Sequence, residues 1–143
     1  MKDLLLHCLS DYGEKEISGY RANKKILKWI QYHFPRAIND NVAWCSTYLC
    51  YKAEELNYFH PNAANARSWL DIGLEVNFPQ KGDVVVLWRE SRESWKGHVG
   101  LFVREDKDYV WLLGGNQSNE VRISKYPKYK VLGYRRLYKK ILD

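Results

Sequence analysis

The sequence predicts an α+β domain in which helices come first and a mostly antiparallel sheet of about five strands follows. Two observations carry this. Apolar residues at helical spacing are confined to the first half of the chain, and after "FPQKGD" the period changes to short β-rich runs separated by polar or glycine-containing turns. No internal repeat, low-complexity stretch or second composition regime interrupts the 143 residues, so 1–143 is read as one domain, long enough to bury a real core.

Residues 3–10 set Leu4, Leu5, Cys8 and Leu9 on one side of a short helix, which "DYG" stops. "GEKEISGY" then reads as a loop. Residues 22–34 carry Ile26, Leu27, Ile30 and Phe34 at helix spacing, and Pro35 ends the run. The polar "PRAINDN" leads towards Cys45, and positions 45, 49, 53 and 56 trace one face of a second long helix. "HPNAANARSWLDIG" reads as a loop and a short helix ended by Gly73. The strands expected are "VVVLW" at 84–88, "HVGLFV" at 98–103, "YVWLL" at 109–113, "EVRIS" at 120–124 and "VLGYRR" at 131–136.

The net charge of +6 and pI near 9.2 fit an anionic partner. The excess is local: between Val121 and Leu142 lie eight Lys or Arg and no acid, interleaved with Tyr126, Tyr129, Tyr134 and Tyr138. No RNP, zinc-finger or helix-turn-helix signature accompanies this stretch, so it reads as a solvated strand face and no nucleic-acid partner is expected. The N-terminal "MKDLLLHCLSDYG" is too short and polar for a signal peptide, and no apolar run approaches the ~18 residues of a membrane span. Synthesis in the cytoplasm, a monomer and no stable membrane insertion are the expectations.

Of three cysteines, Cys45 stands where the polar loop turns into a helix, whose free N–H groups and positive dipole end favour a thiolate. Cys8 and Cys50 fall within helices and read as packing. On a helix Cys45 and Cys50 lie about 140° apart, which does not suit a disulfide. C-x4-C without a second close pair, and no H-E-x-x-H, leave no metal site and no cofactor to expect. A nucleophilic thiol needs an imidazole to take and return its proton. His98, at a strand start between glycines in "KGHVGLF", has room beside its ring for a substrate. Asn116 in "LLGGNQS" lies where the next strand ends, and a hairpin of strands 98–103 and 109–113 brings it back beside His98 as orienter. Gln117 is the weaker competitor, because an extended strand turns it to the opposite side.

The ordered segments "AWCSTYL", "ARSWL", "KGDVVVLWR", "GHVGLFV", "LLGGNQS" and "LGYRR" resemble the CHAP (cysteine, histidine-dependent amidohydrolase/peptidase) group of papain-like peptidoglycan hydrolases, in a small bacterial and phage-associated branch. The resemblance spans roughly residues 10–136. It implies a papain-like fold, with Cys45 as nucleophile, His98 as general base and acid, and Asn116 as orienter. It also implies an oxyanion hole of the Cys45 N–H and an upstream polar side chain, for which Asn39 and Asn41 are the candidates. Many CHAP domains carry a glutamate two residues before that asparagine; here the position is Gly114. Asp83 in "KGDVV" matches a family feature and reads as a turn residue. Trp95, in the hydrophilic run before His98, is the candidate groove wall, whereas Trp44, Trp69 and Trp88 read as core. The implied activity is cleavage of a peptidoglycan amide, either N-acetylmuramoyl–L-alanine or a stem or cross-bridge bond. The implied place of action is the cell wall or periplasm, after phage lysis or delivery by a secretion system. A catalytically inactive wall-binding module of the same fold and a basic nucleic-acid-binding protein are the alternatives.

Overall fold

The computed structural model describes residues 1–17, 22–38 and 43–141. Three α-helices precede the sheet: α1 (Lys2–Leu9), α2 (Lys24–Ile30) and α3 (Cys45–Glu55). α2 begins where the Asn23 side chain accepts from the N–H groups of Lys25 and Ile26. α3 is buried almost all round, with Ser46, Thr47, Tyr48, Cys50 and Lys52 inside as well as the stripe Cys45, Leu49 and Ala53. It is that deeply sunk because α1, α2 and two strands of the sheet all pack on it.

The polar residues this buries are matched. Ser46 Oγ donates to the Ala63 carbonyl at 2.6 Å and accepts from Trp69 Nε1 at 2.8 Å, while Thr47 Oγ1 meets His33 Nδ1 at 2.9 Å. Trp69 belongs to a short 3-10 helix, Ala66–Asp71, and Gly73 follows with φ +79. No L side chain suits that backbone, and a Cβ there would lie 2.6 Å from the Arg136 carbonyl oxygen.

The sheet has six antiparallel strands in the order β1-β6-β2-β3-β4-β5. They are β1 (Leu74–Val76), β2 (Val84–Trp88), β3 (Gly97–Glu105), β4 (Tyr109–Gln117), β5 (Glu120–Pro127) and β6 (Val131–Arg136). The α+β class and the antiparallel sheet are as expected, with one strand more. β1 was not anticipated, because it has three residues, shows little burial, and exists through its pairing with β6.

One face of the sheet meets the helices. The other carries a second core of Val85, Leu87, Phe102, Val110 and Leu112, against which Tyr126, Val131 and Tyr134 pack. Burial on both faces is why "VVVLW" reads as an unbroken apolar run without alternation.

Four of the eight basic residues between Val121 and Leu142 pair with acids from elsewhere in the chain. Arg136 holds fully buried Asp83 through two bonds of 3.0 and 2.7 Å, so Asp83 ties β6 to the start of β2. Lys128, Lys139 and Lys140 reach Glu105, Asp3 and Glu54. Among the described residues no helix is long and apolar enough to cross a membrane.

Candidate active site

Cys45 is the first residue of α3, which packs on β3 and β4. The β3–β4 ladder runs from Glu105↔Val110 to Leu101↔Leu113, and beyond its last pair, near the start of β3, Cys45 and His98 meet. Burial alone would raise the thiol. The charge of His98 and a hydrogen bond to its ring outweigh that, joined by the Val99 N–H and the charge of Arg89, and the thiol sits below its ordinary range. Burial instead pushes Cys8 up to about 12 and Cys50 up to about 11. The separation of Cys45 from the other two cysteines therefore rests on electrostatics.

His98 is 1 % exposed, on the face it shares with its cross-strand partner Leu87. Its Nε2 lies 2.9 Å from Gln117 Oε1 and 3.3 Å from the Tyr126 hydroxyl. The protonation of the ring follows from the other end of the amide. Gln117 Nε2 donates to the carbonyls of Leu112 and Arg122, so Oε1 must be the atom facing His98. An amide oxygen only accepts, which fixes the proton of the neutral ring on Nε2. Nδ1 is then the basic nitrogen; it is buried, makes no well-formed hydrogen bond, and is the one left to serve the thiol. The Tyr126 phenol, pushed up to about 12 chiefly by burial, stays neutral and accepts a share of the Nε2 proton.

Gln117 occupies the place expected for Asn116, and a bulge explains why. β4 pairs with β5 as Gly114↔Arg122 but then as Gln117↔Glu120, so β4 carries one extra residue. Asn116 takes up that residue with φ +57, and the turn at Ser118 and Asn119 has φ +54 and +63, the left-handed pair of a tight hairpin. Counting alternation across the bulge brings Gln117, not Asn116, to the face of His98. Two glycines make room. A Cβ at Gly114 would lie 3.1 Å from Gln117 Oε1, and one at Gly115 would lie 2.6 Å from the Trp44 ring. A larger side chain at Gly114 would thus compete for the space that Gln117 fills.

Asn39 and Asn41, the oxyanion candidates, lie outside the described residues. Trp95 is 71 % exposed on the loop between β2 and β3, with the Lys96 ammonium 5.9 Å from its ring. Arg67 braces that loop by donating to the carbonyls of Ser91, Arg92 and Lys96. Trp44 and Trp69 are fully buried. Among the described residues no group of three or more His, Cys, Asp or Glu side chains is placed to hold a metal. No protein-family model matches the chain, and a search of curated proteins finds no match.

Sequence reasoning passed over Tyr126, Arg89 and the Val99 amide. Tyr126 carried one signal, a β-rich tyrosine in a basic run, which suits surface and interior alike.

Proposed function

We propose that this chain is a papain-like cysteine hydrolase that cleaves an amide of peptidoglycan. The single observation that carries the reading is the Cys45–His98–Gln117 arrangement, in which a lowered thiol meets an imidazole whose basic nitrogen is fixed by a glutamine.

In this reading the Cys45 proton passes to His98 Nδ1, and the thiolate sulfur attacks the amide carbonyl carbon. The oxyanion that forms faces the Cys45 N–H at the start of α3. His98 returns the proton to the departing nitrogen, the C–N bond breaks, and a thioester remains on Cys45. Water then gives a proton to Nδ1 and attacks the thioester, releasing the acid and the thiol. Throughout, Gln117 Oε1 and the Tyr126 hydroxyl hold Nε2–H, which keeps the ring aligned and shares the positive charge when Nδ1 is protonated. The ordered CHAP-like segments and the net charge of +6 support peptidoglycan, an anionic polymer, as the substrate.

Mass spectrometry of fragments released from purified peptidoglycan tests this. The expected result is a new amine and a new carboxylate differing from the parent material by one water, stopped by iodoacetamide and unaffected by EDTA. Unaltered peptidoglycan would remove the proposed substrate, and EDTA inhibition reversed by zinc would replace the thiol chemistry.

A further inference from the structure

Arg122 stands beside the candidate active site without the firm ion pairs that hold Lys128, Arg136, Lys139 and Lys140. Its main-chain carbonyl accepts from Gln117 Nε2, so it adjoins the group that orients His98. Along β5 its side chain shares a face with Ser124 and Tyr126, and the Tyr126 hydroxyl reaches the His98 ring. The guanidinium touches one carboxylate, Glu120, through a single long contact of 3.4 Å, and its side chain is 41 % exposed. Its Nε is buried with no hydrogen-bond partner. A buried donor left unmatched is destabilising, and capture of a ligand by the side chain would relieve that. A cleft of about 580 Å³ runs along this edge, lined by Arg122, Ser124, Lys125 and Tyr126 among others. The planar fork of a guanidinium matches a carboxylate through two parallel N–H bonds.

Resting on the hydrolase reading, we propose that Arg122 is a specificity residue that binds a free carboxylate of the substrate next to the amide being cleaved. The favoured substrates would be stem-type peptides with an unamidated carboxylate near the scissile bond. Arg89, whose main-chain N–H donates to the Lys96 carbonyl at 3.1 Å, is not among the residues that line the cleft, and its charge acts on the thiol and on Tyr126.

The test compares two synthetic stem peptides that differ only in a free carboxylate or its carboxamide. Binding is measured by calorimetry to the Cys45→Ala protein, alone and combined with Arg122→Gln or Arg122→Lys, and turnover is measured with the parent. The carboxylate peptide should bind roughly 10- to 100-fold tighter, as expected of a charged hydrogen bond. Arg122→Gln should bring the ratio near one, and Arg122→Lys should leave it between. Equal binding of the two peptides, or a ratio unmoved by Arg122→Gln in a protein of unchanged melting temperature, would overturn the subsite. Should Arg122→Gln not fold, the Arg122→Lys ratio decides alone. A carboxylate preference in binding with no turnover by the parent would uphold the subsite and defeat the hydrolase reading. Turnover without preference would do the reverse.

Discussion

Two buried polar clusters involve α3, one at each end of the same three turns, and they are built on opposite principles. Towards its C-terminal end Asp11, 2 % exposed, accepts from Lys52 Nζ and the Tyr48 hydroxyl, each at 2.9 Å, and from Lys25 at 3.2 Å. There the carboxylate faces ammonium groups, and both of its oxygens are used. At its N-terminal end Cys45 and His98 are as deeply buried, yet one ring nitrogen lacks a well-formed bond. A matched cluster holds a fold in one arrangement; a cluster with a basic nitrogen beside a thiol has a proton to move. The difference teaches that burial does not separate structural from chemical polar groups here, whereas the completeness of their hydrogen bonding does.

Substitution on each side sharpens this contrast. The largest effect should follow Cys45→Ala, which removes the attacking atom: hydrolysis of wall fragments should fall at least about 10⁴-fold, in line with loss of a nucleophile. Thermal unfolding should stay within a few degrees of the parent. Asp11→Ala should do the opposite. It leaves the Lys52 ammonium in the interior with only its longer 3.4 Å contact to Glu55, and breaking a buried pair costs about 3–5 kcal/mol, so the melting temperature should drop sharply while turnover per folded molecule persists. If Cys45→Ala unfolds the chain, or Asp11→Ala abolishes turnover in folded protein, the division between the clusters fails.

His98→Ala should lower turnover about 10²–10⁴-fold, the usual worth of a positioned acid–base group. Gln117→Ala should cost less, about 10- to 100-fold, since thiol and base remain and only the alignment of the ring is lost. Asn116→Ala should change the rate least of the three, because Asn116 spends its residue on the bulge. Initial rates of the three variants under one set of conditions rank them, and a larger loss at Asn116 than at Gln117 would return the orienting role to the asparagine.

That last pair marks where the sequence stops being readable. Cys45 and His98 could be picked out because their signals are local, a cysteine at a helix start and a histidine at a strand start between glycines. β2 and β6 run over the residues expected, since their apolar runs end at turns. β4 and β5 continue beyond theirs, into Gln117 and Pro127, because pairing extends a strand past its hydrophobic stretch. The identity of the orienter depends on one extra residue in a ladder, set by Trp44 and Tyr48 closing on Gly115 and by the left-handed backbone of Asn116. Alternation counted along the chain has no access to contacts made with residue 44. The basic tail likewise reads as a field of positive charge until Asp83, Glu105, Asp3 and Glu54 arrive from elsewhere in the chain.

The smallest expected change concerns Arg89, which helps the thiolate from a distance while Val99 and His98 help it by contact. Arg89→Gln should raise the pH at which Cys45 becomes reactive by a fraction of a unit, read from alkylation rates, and leave the melting temperature alone. A shift as large as that of His98→Ala would move Arg89 into contact with the sulfur.

The most direct test of the pairing between Cys45 and His98 is the rate of iodoacetamide labelling of each cysteine against pH, read by peptide mapping. A thiol below its ordinary range ionises first, so Cys45 should react ahead of Cys50 and Cys8, with a midpoint below the ~8.5 of a free thiol. In His98→Ala the charge and hydrogen bond are gone and burial remains, so that midpoint should move up past the free-thiol value. A Cys45 midpoint at or above the free-thiol value in the parent, or one that His98→Ala leaves in place, would contradict the pairing on which the proposed chemistry stands.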